Sequence, residues 1–282
     1  MDPIYLMING MPGNVAIIIA RHVLKDNRFS LVPFSLTGPD ILHKAVKVET
    51  QEIQLVKPQG RETIVGQIKA RYPGVIAVDF THPTAVNANA ELYASQGIPF
   101  VMGTTGGNRE KLLATVSAGS VPAVIAPNMA KQIVGFQAMM DYAASTFPGL
   151  FEGYTLTIEE SHQKGKADTS GTARAMVGCF NRLGIPFTSD QITMERDPEI
   201  QASVWKVPRE HLAGHGWHTY TLTSPDGSAF FQFKHNINGR DIYVNGTLDG
   251  VLFLHEKIGS GDPAVLAGQC FSMIDVLKKN RK

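Results

Sequence analysis

Over the first half of the chain, short apolar runs alternate with amphipathic stretches. Residues 4–8 form a continuous apolar run that ends in Asn9-Gly10, and a helix is expected over 15–24. Residues 31–36 predict a second strand, which Pro33 weakens. The runs 75–80, 98–102 and 121–126 predict buried strands, separated by helices over 85–96 and 108–117. The segment 46–56 is expected to add a strand. Strands that alternate with helices imply an α/β fold with a parallel sheet and right-handed crossovers.

The pattern changes after Asn128. A long helix is expected over 131–145, ending before Pro148, then a strand over 154–160 and a helix over 172–183. Strands over 217–223 and 228–235 flank Ser224-Pro225-Asp226-Gly227, a hairpin signal. These elements predict a second, α+β domain with a mixed open sheet. Helices over 247–256 and 264–279 close the chain, and Lys278, Lys279, Arg281 and Lys282 suit a solvated helix C-terminus.

Composition narrows the function classes. With 282 residues, 43% of them hydrophobic, the chain can bury a substantial core. A formal net charge of +1 without a long Lys/Arg block argues against nucleic acid as a partner. Cys179 and Cys270 have neither metal-ligand nor disulfide-framework spacing, so two buried free thiols and no metal are expected. No apolar run approaches the ~20 residues that cross a membrane. The N-terminus enters a strand pattern directly, without the features of a signal or transit peptide.

Gly10-Met11-Pro12-Gly13-Asn14-Val15-Ala16 joins the first strand to the first helix with the spacing G-x-x-G-x-x-A. In such a turn Gly10 permits the tight bend and Gly13 lets a pyrophosphate approach the backbone. Ala16 allows close helix packing, and the amides of Asn14 and Val15 open an anion-favouring helix. A carboxylate that reads the ribose of NAD is expected after the second strand, but Ser35-Leu36-Thr37-Gly38 stands there. Ser35 and Thr37 are candidate donors to a 2′-phosphate, so NADPH is the expected cofactor, with NADH possible. Three further loops follow strands at the ligand-binding edge of such a sheet: Phe80-Thr81-His82-Pro83, Gly103-Thr104-Thr105-Gly106 and Ala126-Pro127-Asn128. Phe80, Thr81, Gly103, Thr104, Thr105, Pro127 and Asn128 are therefore candidate cofactor residues.

The densest chemistry lies in Glu160-Ser161-His162-Gln163-Lys164-Gly165-Lys166-Ala167-Asp168-Thr169-Ser170-Gly171-Thr172-Ala173. A lysine among apolar surface and other cations is a usable proton donor, and a histidine titrates near neutrality. Ser170, Gly171 and Thr172 open a helix whose amides and hydroxyls can grip an anion. A cationic loop beside a helix start suits a small substrate that carries carboxylates.

This run resembles the signature E-x-H-H-x-x-K-x-D-x-P-S-G-T-A of the 4-hydroxy-tetrahydrodipicolinate (dihydrodipicolinate) reductases. Two departures, Gln163 in place of the second histidine and one residue fewer before Ser170, resemble the plant-type branch, as does the run from Gly214 to Thr223. The resemblance implies a Rossmann-like cofactor domain over 1–130, completed by C-terminal helices over 246–282. It also implies a substrate-binding and oligomerisation domain over 131–245, with domain closure bringing the two ligands together. By position, Lys166 is the proton donor and His162 assists proton transfer or holds a carboxylate. Gln163, Ser170, Gly171 and Thr172 bind substrate, and Arg240 adds charge to its pocket. The implied reaction is NAD(P)H-dependent reduction of a cyclic unsaturated dicarboxylate in lysine and diaminopimelate biosynthesis, by a homo-oligomer (dimer or tetramer). The implied location is the plastid stroma, or alternatively a bacterial cytoplasm. The competing readings are another two-domain amino-acid or semialdehyde dehydrogenase, and a non-catalytic NAD(P)-binding sensor.

Overall fold

A computed structural model describes residues 2–279, the side chain of Lys279 excepted. The chain divides into two compact units, residues 1–131 with 241–282, and residues 132–240. In the first unit, β1 (Ile4–Asn9) leads through the glycine turn into α1 (Asn14–Val23). Pro33 then splits the expected second strand in two. β2 (Phe29–Leu31) pairs parallel with β1, while β3 (Phe34–Leu36) leaves that sheet and pairs with the later strand over residues 51–56. The expected strand over 46–56 is a hairpin, β4 (Ala45–Val48) and β5 (Gln51–Val56), hinged at Glu49 with φ 52°. These three short strands form a separate small sheet, β3-β5-β4.

The chain continues through α2 (Arg61–Arg71), β6 (Ile76–Asp79), α3 (Val86–Ser95), β7 (Phe100–Met102), α4 (Arg109–Ser117) and β8 (Ala123–Ile125). Every residue of β6, β7 and β8 is buried, as a parallel sheet covered on both faces requires. Met7, Val65, Ile68, Ala90, Tyr93 and Phe100 belong to the core on one face.

The second unit holds α5 (Lys131–Thr146), β9 (Thr155–His162), α6 (Gly171–Arg182), β10 (Thr193–Glu195), α7 (Pro198–Ser203), β11 (His215–Thr223) and β12 (Phe230–Asn238). Its mixed sheet runs β10-β9-β11-β12, with β9 and β10 parallel and the other pairs antiparallel. Ile158, Met176, Phe180, Tyr220 and Leu222 pack its core.

The chain returns to the first unit with α8 (Ile242–Ser260), longer than its pattern predicts. A continuous helix over 264–279 does not form. α9 (Pro263–Leu266) stops, Gly268 takes φ 70°, and β13 (Cys270–Phe271) joins the large sheet before α10 (Met273–Lys279). Gly268 explains the break, because a side chain there would meet the Ser117 carbonyl at 2.5 Å. The completed sheet is β13-β8-β7-β6-β1-β2, all parallel. Lys278 is exposed, while Arg281, Lys282 and the Lys279 side chain lie outside the described residues.

Candidate active site

The carboxyl ends of β1, β3, β6 and β7 converge in the first unit. Gly10 has φ 108°, and a Cβ on it would sit 2.1 Å from the Phe80 carbonyl oxygen, so only glycine fits. A Cβ on Gly13 would meet the Gly10 carbonyl at 2.7 Å, and one on Gly103 would enter the Phe80 ring at 2.4 Å. No side chain caps the start of α1 at Gly13, which leaves the Asn14 and Val15 end of the helix without a side-chain acceptor. These features fit a pyrophosphate on the glycine turn. Thr105 and Pro127 are exposed, and Asn128 accepts from the Ala130 amide at 2.9 Å.

Ser35 and Thr37 do different work from that expected. Ser35 is fully buried, and its Oγ accepts from the Met11 amide at 3.2 Å. The Thr37 hydroxyl donates to the Met11 carbonyl at 2.8 Å. Both fasten β3 to the glycine turn, so neither is a ready donor to a 2′-phosphate.

A buried carboxylate organises this edge. Asp79, at the end of β6, is fully buried. Its Oδ1 accepts from the Thr104 hydroxyl at 2.6 Å, the Thr81 hydroxyl at 2.8 Å and the Thr81 amide at 3.1 Å. Its Oδ2 accepts from the Tyr93 hydroxyl at 2.7 Å and the Asn89 amide group at 2.9 Å. Burial, with the facing carboxylate, pushes the Tyr93 phenol well above its ordinary pKa, so it remains a donor. Tyr93 accepts from Asn9, whose Oδ1 takes the Leu36 amide at 2.8 Å. One network thus ties together the ends of β1, β3, β6 and β7. Thr81 and Thr104 enter it as fasteners, with their hydroxyl protons committed to Asp79.

The second cluster is built by strand register. His218 on β11 lies opposite Glu160 on β9 and opposite His235 on β12. Glu160 is fully buried, and burial alone would raise its pKa. Contacts to His218, to Arg196 and to the Ser170 amide outweigh burial and hold the carboxyl far below the usual range. Arg196 Nη2 donates to Oε1 at 2.5 Å, and the Ser170 amide donates to Oε2 at 3.1 Å. His218 Nε2 lies 2.8 Å from Ser170 Oγ and 3.5 Å from Glu160 Oε2. The Ser170 hydroxyl oxygen also accepts from the Ala173 amide at 3.0 Å, capping α6.

His162 Nδ1 lies 3.1 Å from the His215 carbonyl, which can only accept, so Nδ1 carries the proton. Nε2 of neutral His162 is then an acceptor, 3.4 Å from His218 Nε2. Burial, followed by His218, lowers the His162 pKa to about 4. A Cβ on Gly216 would approach the ring to 2.9 Å, so this glycine makes room for it. His218, which is not among the site candidates read from the sequence, thus supplies a second imidazole beside His162. Glu160, His162 and His218 each offer a ligand atom within 4.8 Å of the others. Ser170 already contacts Glu160 Oε2 and His218 Nε2, and a hydrogen-bonded cluster accounts for those contacts.

The remaining candidates lie along the loop. Lys166 Nζ pairs with Asp168 Oδ1 at 2.7 Å, and its amide donates to the Gln163 carbonyl at 2.9 Å. Gly171 and Thr172 are the first residues of α6. The Arg240 guanidinium packs over Gly214, where a Cβ would stand 2.7 Å from Nη1.

The histidines make stability sensitive to acid. Burial, then His218 and His162, lowers the His235 pKa to about 4, and neither ring nitrogen has a hydrogen-bond partner. His162 and His235 are therefore neutral in the fold, whereas unfolded histidine titrates near ~6.5. As pH falls from about 6.5 towards 4, the unfolded chain takes up protons that the folded chain does not, and stability is lost. The melting temperature should be lower at pH 5 than at pH 7.5, with a shallower dependence in His235→Phe. Equal slopes for the two proteins would contradict this assignment.

Residues 4–129 match the profile for the N-terminal part of dihydrodipicolinate reductase, and residues 133–277 match that for its C-terminal part. A rice protein called probable 4-hydroxy-tetrahydrodipicolinate reductase 2, chloroplastic, is 43% identical over 97% of this chain and 83% of its own. The Arabidopsis thaliana chloroplastic 4-hydroxy-tetrahydrodipicolinate reductase 2 is 44% identical over 98% of this chain and 78% of its own. Dipicolinate-bound dihydrodipicolinate reductase from Paenisporosarcina sp. TG-14 shares the fold, with a TM-score of 0.63 at 17% identity over 96% of this chain and 97% of that one. With both halves matched and plant relatives aligned over nearly its whole length, the chain belongs to the dihydrodipicolinate reductase family.

Proposed function

We propose that this protein is an NAD(P)H-dependent reductase that converts 4-hydroxy-tetrahydrodipicolinate to tetrahydrodipicolinate in lysine and diaminopimelate biosynthesis. The observation that carries the reading is the loop from Glu160 to Ala173, which retains the family's histidine, lysine and helix start on a charged, buried scaffold. The cofactor, when bound, supplies the hydride. The chain must hold a dicarboxylate and deliver a proton. The Ser170-Gly171-Thr172 helix start and Gln163 hold a carboxylate, with Arg240 adding positive charge. Lys166 stabilises the negative character that hydride addition builds on the ring, and completes proton transfer. His162, neutral with an acceptor Nε2, suits proton transfer better than charge pairing with a carboxylate. Gly10, Gly13, Asn14, Val15, Phe80, Thr81, Gly103, Thr104, Thr105, Pro127 and Asn128 line the cofactor site.

Dipicolinate, the ligand named for the bacterial relative, should compete with substrate, and Thr172→Val should weaken that inhibition; non-competitive behaviour would argue against the carboxylate assignment. NADPH is the preferred cofactor in this reading, because no carboxylate follows β3 to repel a 2′-phosphate. kcat/KM should be higher with NADPH than with NADH, and equal or better efficiency with NADH would remove the preference. The chloroplastic relatives support the plastid as its location. A homo-oligomer is part of the same reading, supported by the exposed Phe230 and Phe231 on the edge strand β12.

A further inference from the structure

Arg196 follows β10 directly and is the most heavily engaged side chain around the loop. Nε donates to the Lys166 carbonyl at 2.8 Å, Nη1 to the Glu195 carbonyl at 2.9 Å, and Nη2 to Glu160 Oε1 at 2.5 Å. Longer contacts of 3.4 Å reach the carbonyls of Glu160 and Asp168. Its side chain is only 17% exposed. The parallel register of β10 with β9, which pairs Met194 with Glu160, places the residue after Glu195 where the guanidinium can span strand and loop.

We propose that Arg196 is a positioning residue that sets the location of Lys166 and contacts no reacting atom itself. Its nitrogens already face protein acceptors, so it is not a free cation for a substrate carboxylate. Lys166 is held from both sides of its backbone: its N–H by the Gln163 carbonyl, its C=O by Arg196. Its side chain then projects from a fixed root, with Nζ paired to Asp168 Oδ1. Glu160 is the anchor of the clamp, holding the guanidinium by the oxygen that Ser170 does not use. Only a planar fork with five N–H groups can serve a carboxylate and several carbonyls at once; an ammonium on a flexible stem cannot.

This inference rests on Lys166 acting in the proposed reaction, and the test separates the two. Arg196→Lys should lower kcat by roughly 10²-fold, the scale of an ångström-sized misplacement. Its Kd for NADPH, measured by fluorescence, should stay within about twofold of the parent. The deciding variant is Lys166→Ala/Arg196→Lys. If Arg196 acts through Lys166, the double variant should be no more than about twofold slower than Lys166→Ala alone, because residues acting as a unit are non-additive. Losses that multiply in full would overturn the positioning role and point to direct substrate contact or general loosening. Near-full activity in Lys166→Ala would instead sink the catalytic reading itself. Should Arg196→Lys fail to fold, Arg196→Gln, which keeps a single planar NH2 donor, must show the same non-additivity, and full additivity there overturns the proposal equally.

Discussion

Lys166→Ala is expected to lower kcat by about 10²- to 10⁴-fold, the range for removing a positioned general acid. The affinity for NADPH should change by no more than about twofold, because the glycine turn and the sheet-edge loops proposed to bind it belong to the other unit. The loss follows from the chemistry of the step, since hydride addition leaves negative charge on the ring that needs both a cation nearby and a proton. His162 cannot replace the lysine: it is neutral, and its single N–H is committed to the His215 carbonyl. Lys164, two residues away, is exposed in the same loop, yet the Arg196 clamp closes on the Lys166 carbonyl. Lys164→Ala should therefore retain most activity, and the contrast between the two variants is part of the prediction. Steady-state kinetics with NADPH titrations checks both.

The second large effect is expected in the other unit. Asp79→Asn keeps the side-chain shape but turns one acceptor into a donor aimed at hydroxyl or amide donors. Five donors converge on that carboxylate in a fully buried site. A hydrogen bond to a charged group contributes about 1.5–3 kcal/mol, and a stranded buried donor adds its own desolvation cost. A net destabilisation of about 2–4 kcal/mol is expected, with a Tm drop on the order of 10 °C. Function should suffer beyond stability, because Asp79 holds the Thr81 and Thr104 loops against Gly10 and Gly103. The KM for NADPH should rise several-fold at a temperature where the variant is fully folded, while kcat at saturation changes less. A variant as stable as the parent, with unchanged KM, would show that the network does not carry the cofactor edge.

What was legible in the sequence follows a physical division. The glycine turn, the sheet-edge loops and the run from Glu160 to Ala173 are contiguous, so each announces itself by local composition. The missed residues act across strands. His218 lies far along the chain from Glu160 and becomes its neighbour only through the β9–β11 register. A signal was present, because His218 shares the core-facing alternation of Tyr220 and Leu222, where a polar side chain needs a partner. Asp79 carried a similar signal as an acid within an apolar strand pattern. Arg196 carried none, as an arginine in a polar loop reads as surface until the parallel pairing of β10 with β9 is known. The split at Pro33, the turn at Glu49 and the break at Gly268 are tertiary outcomes, in which sheet pairing and close backbone approach override local periodicity.

The central claim is best tested by following NADPH absorbance with purified protein, while pyruvate and aspartate semialdehyde are converted to the substrate in place by the preceding synthase. Oxidation that requires the synthase, pyruvate and semialdehyde together, and that falls away in Lys166→Ala, is the expected result. Folded protein that binds NADPH yet shows no substrate-dependent oxidation with either nicotinamide cofactor would contradict the account.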